Sequence, residues 1–177
     1  KDWTIGIFAV YASGLPILAP AAQNNLNALL LRNGTSLSYA NRVEGQPLFT
    51  KDLNCHCVDP NKEFVLNPAA WAEPAAGQFG NGAAYYNDYR YQRQPQENLA
   101  FGRTFKIGER GVKFDVRAEF TNIFNRSHLP NPTSTNARAT QTVSNGKPTA
   151  GFGFINAAVA PATPASRQGT VVARINF

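Results

Sequence analysis

Residues 112–124, with the sequence VKFDVRAEFTNIF, begin with a strict alternation of apolar and polar side chains. The apolar positions are Val112, Phe114, Val116, Ala118 and Phe120, and the polar positions are Lys113, Asp115, Arg117, Glu119 and Thr121. A period of two puts each set on its own face of a β-strand. The stretch therefore predicts a long strand at 112–124 with one apolar face and one charged face.

Three other segments show the same pattern and predict strands at 3–11, 97–107 and 169–177. In 97–107, Arg103 interrupts the apolar face, and a bulge near Gly102 could turn its side chain to the other face. In the last segment the alternating apolar positions are Val171, Ala173, Ile175 and Phe177. With the strand at 112–124, this makes about four antiparallel strands.

The connections between these strands are very unequal in length. Residues 108–111, with the sequence GERG, predict a tight hairpin turn, whereas 12–96 and 125–168 are long and rich in Pro, Gly and Asn. Loops of this length are rare in compact soluble domains. Outer-membrane barrels, by contrast, combine short periplasmic turns with long extracellular loops. We therefore predict an all-β fold in which residues 1–177 form one segment of a transmembrane β-barrel with two long extracellular loops.

A β-sandwich is the competing interpretation, since an alternating strand is also one face of an ordinary sandwich. Sandwich strands usually have about five or six residues and are separated by turn signals every 8–12 residues. The segments here are longer and the turn signals are absent, which favours the barrel. In a barrel the apolar face of 112–120 would meet lipid and the ionic face would meet the lumen.

Composition and charge exclude several classes of function. The net charge is +6, from 17 Lys plus Arg against 11 Asp plus Glu, but the basic residues are scattered rather than clustered, which argues against nucleic-acid binding. No apolar run is long enough for a transmembrane helix. The chain contains no Met. We therefore expect it to be processed or to be a piece of a longer protein.

The sequence offers little for catalysis. His56 and His128 are its two histidines, and it contains no nucleophile elbow, phosphate-binding loop or zinc-protease motif. Asp115 and Glu119 share a strand face and could act as a carboxylate pair, but Lys113 and Arg117 beside them favour a ladder of ion pairs. We predict no enzymatic activity and no cofactor.

The two cysteines, Cys55 and Cys57, flank His56. A zinc site needs four ligands and usually a wider cysteine spacing, so a metal site would require His128 from the other long loop and a further ligand. A disulfide is the alternative in an oxidising compartment, formed between these two cysteines or with another chain. We favour the disulfide and predict no metal site.

A tyrosine-rich stretch, AAYYNDYRYQRQ at 83–94, is the best candidate for ligand binding. Tyrosine and arginine dominate recognition surfaces, and polar aromatic loops suit carbohydrate or peptide ligands. The alternative is that these rings form an interfacial aromatic girdle, as expected of Trp3, Phe105 and Phe177, or pack within the loop. The candidate residues are Tyr85, Tyr86, Tyr89, Arg90, Tyr91 and Arg93.

Short motifs in a fixed order resemble the C-terminal part of TonB-dependent receptors, particularly the Oar-like receptors with a carboxypeptidase-regulatory-like domain that are common in Acidobacteria. They are YASGLPI at 11–17, FVLNPAAWAEPAAGQFG at 64–80, RAEFTNIFNRSHLPNP at 117–132, GFGFIN at 151–156 and SRQGTVVARINF at 166–177. Each motif is short, but together they span nearly the whole chain. The resemblance implies that Val171, Ala173, Ile175 and Phe177 form the terminal signal read by the barrel-assembly machinery.

The resemblance also implies a function and a set of partners. It predicts an outer-membrane importer of a large nutrient, such as an oligosaccharide, peptide or siderophore, in a Gram-negative-type bacterium. Outer-membrane lipid would surround the barrel, and the TonB energy-transducing complex would act through parts absent from this chain. The alternative is an extracellular structural or adhesive β-protein that self-associates into oligomers or fibres through open sheet edges.

Overall fold

The computed structural model describes residues 2–24, 26, 38–108, 111–159 and 166–177. The chain divides into two compact units. Unit 1 consists of Lys1–Ala12, Gln94–His128 and Pro161–Phe177, and unit 2 consists of Ser13–Arg93 and Leu129–Ala160. No helix in the described ranges has the length and apolar character needed to cross a membrane.

Unit 1 is a four-stranded antiparallel sheet. Its strands are β1 (Trp3–Val10), β6 (Gln96–Ile107), β7 (Val112–Thr121) and β10 (Gln168–Asn176), in the order β1-β6-β7-β10. They coincide with the four strands predicted from the alternation, although β7 ends three residues earlier than expected, at Thr121. Over the described residues the sheet does not close, so β1 and β10 are its edges. The predicted all-β class with antiparallel strands is confirmed.

The strand register gives the sheet two chemically different faces. On one face Ile5, Phe101, Ala118 and Val171 lie side by side across the four strands. The next row, on the opposite face, contains Thr4, Gly102, Arg117 and Val172. Because one face is apolar except for Arg103 and Glu97 and the other face is mostly polar, the sheet matches the lipid-facing and lumen-facing alternation of outer-membrane barrels.

The charged face of β7 forms bonds within its own strand and to both neighbouring strands. The Arg117 guanidinium lies 2.6 Å from a carboxylate oxygen of Glu119. Asp115 accepts hydrogen bonds from the Thr104 hydroxyl of β6, at 2.5 Å, and from the Asn176 amide of β10, at 2.6 Å. The charges therefore serve as structural cross-links, and Asp115 is bound from either side.

Arg103 does not turn to the polar face as the bulge near Gly102 would have required. Pairing is regular through this point, with Gly102 opposite Thr4 and Arg117, and Arg103 opposite Trp3 and Val116. The bulge prediction was wrong. The Arg103 side chain stays on the apolar face because aromatic rings from β1 and β6 cover it, with the guanidinium carbon 4.7 Å from the Trp3 ring centre and 4.8 Å from that of Phe105.

The hairpin between β6 and β7 closes at the pair Ile107–Val112. Gly108 and Gly111 have φ angles of +66° and +79°, a conformation that glycine adopts without steric cost. The middle of the predicted GERG turn, Glu109 and Arg110, lies outside the described residues. At the opposite end of the sheet Val10 pairs with Gln96 and Thr121 with Gln168, so both long connections leave from that end.

Unit 2 is built from these two connections and has a core of its own. It contains three small antiparallel pairs and a 3-10 turn at Pro68–Ala70. The pairs are β2 (Pro16–Leu18) with β5 (Tyr85–Arg90), β3 (Asn41–Arg42) with β4 (Trp71–Ala72), and β8 (Thr142–Ser144) with β9 (Lys147–Ala150). The buried core includes Ile17, Leu66, Trp71, Tyr89, Phe152 and Ile155. The described parts of the long loops are therefore packed structure with buried apolar side chains.

Candidate ligand-binding site

A cavity of about 670 Å³ lies within unit 2. Its walls come from three segments, 13–14, 46–54 and 87–93, together with Arg42. These segments are distant in sequence, so the site exists only once unit 2 has folded. Its volume falls in the range typical of small-ligand sites.

The first wall is held by close contact between two backbone segments. The Tyr91 amide donates to the Leu15 carbonyl at 2.9 Å, and Arg90 Nη1 donates to the Gly14 carbonyl at 3.0 Å. A Cβ atom at position 14 would collide with the Tyr91 carbonyl, so only glycine allows this approach. The segment that carries Arg90 and Tyr91 is thereby fixed against Gly14 and Leu15, at the start of the long connection that follows β1.

Hydrogen bonds from backbone amides to side-chain oxygens fix the second wall, 46–54. Asp52 Oδ1 accepts from the Asn54 amide at 2.8 Å, a local turn that Asp favours. Asn54 Oδ1 in turn accepts from the Arg93 backbone amide at 3.0 Å and so joins the second wall to the third. Cys55 and Cys57 follow immediately and are joined by a disulfide, with their Cα atoms 5.1 Å apart. The rim of the cavity beside Asn54 is therefore covalently constrained.

Two ion pairs set the charge of the cavity. Arg42 binds Asp88 with two hydrogen bonds, of 3.2 and 2.5 Å, and this partner lowers the pKa of the Asp88 carboxyl group. Lys51 binds Glu63 at 2.8 and 3.1 Å, and this contact, followed by the Asp59 amide, lowers the pKa of Glu63. Both carboxylates are therefore charged at neutral pH.

The cavity has an excess of positive charge. Four of its lining residues are cationic (Arg42, Lys51, Arg90 and Arg93) and two are anionic (Asp52 and Asp88). Arg93 is exposed, and among the described residues its guanidinium has neither an ion-pair partner nor a hydrogen bond. Its five N–H donors are free to bind oxygen atoms of a ligand. Carboxylate, phosphate and hydroxyl groups match this chemistry.

The structure places the candidates of the tyrosine-rich stretch in different environments. Arg90, Tyr91 and Arg93 line the cavity. Tyr85 is exposed, and Tyr86 packs under Arg42, whose guanidinium carbon is 4.9 Å from the ring centre.

Tyr89 belongs to a different environment. Its side chain is 0% exposed, and its ring lies against Trp71 and Phe49, at 5.4 and 5.5 Å between centres. Burial raises the pKa of its phenol. Tyr89 therefore packs in the core of unit 2, and we do not assign it to the ligand-binding surface.

Several residues of this cavity were not predicted from the sequence. Arg42, Lys51, Asp52 and Asn54 lie in segments without a motif, and no local pattern connects 42–54 with 87–93. One sequence feature could have indicated Lys51, Asp52 and Asn54. They lie just before Cys55 and Cys57, whose disulfide constrains the rim of the cavity.

The residues expected to form the barrel-assembly signal lie in or just beyond β10. Val171, Ala173 and Ile175 share the apolar face of the sheet, and Phe177 is fully exposed beyond the last paired residue. Within the described ranges, no three His, Cys, Asp or Glu side chains are grouped so that they could hold a metal ion.

Comparison with known proteins agrees with this architecture. The family described as "Outer membrane beta barrel domain" matches residues 1–169. Searches of curated proteins and of solved structures gave no match. The match covers nearly the whole chain, including the strands β1, β6 and β7 and both long connections. The protein therefore belongs to the outer membrane beta barrel domain family and resides in the bacterial outer membrane.

Proposed function

We propose that this chain is the C-terminal part of a TonB-dependent receptor that imports a large nutrient across the outer membrane. The observation that carries the proposal is the charged cavity in unit 2. Unit 2 is built from the connections that leave the sheet opposite the short hairpin, and in outer-membrane barrels the long connections are extracellular. A preformed cavity there suits ligand capture from the medium, without covalent chemistry.

The residues that line the cavity limit the chemical classes of ligand that suit it. Arg90 and Arg93 supply hydrogen-bond donors and positive charge, and Tyr91 supplies a flat ring with a hydroxyl group. Such a surface favours an oxygen-rich ligand with an acidic group, which fits an acidic oligosaccharide, a peptide or a carboxylate-bearing siderophore. Energy for release into the periplasm would come from the TonB complex acting on parts outside this chain.

The size and the partner of the native polypeptide test the receptor assignment. An antibody to residues 97–124 should detect a band on the order of 100 kDa in detergent-extracted outer membranes, as about 22 strands and a plug require. The same band should be retained on the immobilised periplasmic domain of TonB from that bacterium. A band near 19.2 kDa, the mass of the chain alone, or failure to bind TonB would contradict the receptor.

The cavity is tested separately by uptake. Compounds that wild-type cells deplete from a complex medium, and that a deletion strain leaves behind, identify the nutrient by mass spectrometry. Arg93→Gln should reduce its uptake about tenfold, since a charge-assisted hydrogen bond is lost. Arg138→Gln is the matched control, because Arg138 is exposed in the same unit but does not line the cavity. Equal uptake in the two variants would remove Arg93 from the binding site.

A second candidate is a self-associating adhesive or structural β-protein. It is favoured by the two edges of the sheet, β1 and β10, whose outer backbone groups have no strand partner within the described ranges. A 19.2 kDa band that forms large assemblies without detergent would support this function and exclude the single-chain importer.

A further inference from the structure

We propose that Arg103, Trp3 and Phe105 form a binding site for the phosphate of an anionic phospholipid in the periplasmic leaflet of the outer membrane. The inference depends on the barrel fold alone and not on the receptor assignment. It starts from one anomaly, which is a positively charged side chain on the lipid-facing surface of the sheet.

Aromatic rings reduce, but do not eliminate, the free-energy cost of placing this charge in hydrocarbon. The guanidinium carbon lies 4.7 Å from the centre of the Trp3 ring and 4.8 Å from the centre of the Phe105 ring. Cation–π contacts of this kind cover the flat faces of the guanidinium. The N–H donors radiate in its plane, and among the described residues no carboxylate and no hydrogen-bond acceptor binds them. In a hydrocarbon environment unpaired donors are costly, so an acceptor from the lipid is required.

The other charge on this face is compensated by the protein itself. Glu97, six residues earlier on β6, is bound by Arg126 at 2.9 Å. Arg103 therefore differs from Glu97 in that its counter-charge is not supplied by the described part of the chain. Charge complementarity thus identifies the ligand group as an anion.

The position of Arg103 along the strand identifies the leaflet. Ile107 at the hairpin is four positions after Arg103, about 13 Å along the strand and about 10 Å along the membrane normal at the usual tilt. Short hairpins of outer-membrane barrels are periplasmic. Arginine extends toward the nearer interface from such a depth, and tryptophan favours the same level. The phosphates within reach are those of the periplasmic leaflet.

A groove on the same face can hold the acyl chains. It has a volume of about 570 Å³, and its lining includes Phe101, Phe114, Val116 and Ala118 besides the three site residues. A lipid that places its phosphate at Arg103 can therefore lay its chains along apolar side chains. We identify the ligand as an anionic phospholipid such as phosphatidylglycerol.

Quenching of tryptophan emission tests the site, with Trp3 as the reporter inside it and the other tryptophan of the chain removed by Trp71→Phe in every sample. The purified protein is placed in vesicles of phosphatidylcholine that contain either brominated phosphatidylglycerol or brominated phosphatidylcholine at equal mole fraction. The wild type should prefer the anionic lipid about fivefold, the factor expected for one arginine near an anionic headgroup. Arg103→Gln should bring the preference to about one. Lys106→Gln, which removes a charge from the polar face three residues away, should leave it unchanged.

Each other outcome overturns the proposal. Equal quenching by both lipids in the wild type means an unselective lipid shell, and a preference that survives Arg103→Gln places the site elsewhere. A loss in Lys106→Gln attributes the preference to overall charge. If Arg103→Gln fails to insert, judged by heat-modifiable gel mobility, Arg103→Lys is used. It keeps the charge but not the stacked planar group, and an unchanged preference in that variant rejects the stacked site.

Discussion

Glu97 and Arg126 form a two-pronged ion pair that ties the start of β6 to the turn after β7. Arg126 Nε donates to Glu97 Oε2 and Nη2 donates to Oε1, both at 2.9 Å, and Glu97 is only 3% exposed. The turn is further closed by Asn122 Oδ1, which accepts from the Arg126 amide at 2.8 Å. Both residues lie at the end of the sheet from which the long connections leave, so the pair anchors the base of those connections.

Arg126→Ala should therefore loosen this turn. It leaves the buried Glu97 carboxylate without its guanidinium counter-charge, which is costly because the group has lost its water. The amide of Ile123, which donates to the Glu97 carbonyl at 2.9 Å, should exchange with deuterium about tenfold faster. Arg117→Ala is the control, since the pair Arg117–Glu119 is more exposed and exposed pairs contribute little. Similar exchange rates in both variants would show that the buried pair does not stabilise the turn.

The strands could be predicted from the sequence because each is specified by its own alternation, independent of the remaining chain. The site could not. Arg42 meets Asp88 across 46 residues, and neither neighbourhood carries a pattern that predicts the other. Arg103 was partly predictable. The alternation in 97–107 places it on the apolar face, but its contact with the Trp3 ring depends on the register between β1 and β6, which only the folded sheet defines. Tyr89 was indistinguishable in type from Tyr91, and packing alone separates their roles.

The two faces of β10 should respond differently to the same substitution. Val171 and Val172 are adjacent, but Val171 lies beside Ala118 on the apolar face and Val172 lies opposite Arg117 on the polar face. Val171→Glu places a charge in the lipid-facing band and should cost about 2 kcal/mol of folding free energy. Val172→Glu places its carboxylate next to a guanidinium and should be close to neutral. Urea titration of the vesicle-inserted protein, followed by gel mobility, measures both. Equal costs would mean that the apolar face does not meet lipid.

Gly153 and Gly45 allow the packing of unit 2 to be separated from backbone strain. Their φ angles are nearly equal, +80° and +77°, so alanine meets a similar conformational penalty of about 1–2 kcal/mol at both positions. At 153, however, the added Cβ would lie 2.6 Å from the Leu66 amide nitrogen, whereas at 45 it would meet nothing within 4 Å. Overpacking typically adds about 1–3 kcal/mol, so Gly153→Ala should be the more destabilising.

Hydrogen exchange at Val65 is a suitable readout for these two variants, because its amide donates to the Gly153 carbonyl at 3.1 Å. Gly153→Ala should accelerate this exchange strongly and Gly45→Ala only slightly. If the two alanine variants exchange alike, the backbone at Gly153 does not pack closely against Leu66.

Acid should weaken unit 2 through the Arg42–Asp88 pair. Arg42 lowers the pKa of Asp88 below its ordinary value of 3.8, so the unfolded chain binds a proton more readily than the folded one. The stabilisation is therefore complete above about pH 5 and decreases as the pH falls through the lowered pKa. Arg42→Gln removes it at every pH. The free-energy difference between wild type and Arg42→Gln should thus be largest near pH 7 and shrink toward about pH 2.

Trp71 reports this equilibrium, because its ring packs on Tyr86, over which Arg42 lies. Denaturant unfolding is followed by Trp71 emission in a Trp3→Phe background at both pH values. A difference that stays constant with pH would mean that Arg42 stabilises unit 2 through its stacking on Tyr86 rather than through the charge of Asp88. A free-energy difference that shrinks toward low pH assigns the stabilisation to the Arg42–Asp88 ion pair. Asp88 would then be a group in the wall of the ligand cavity that titrates under acid conditions.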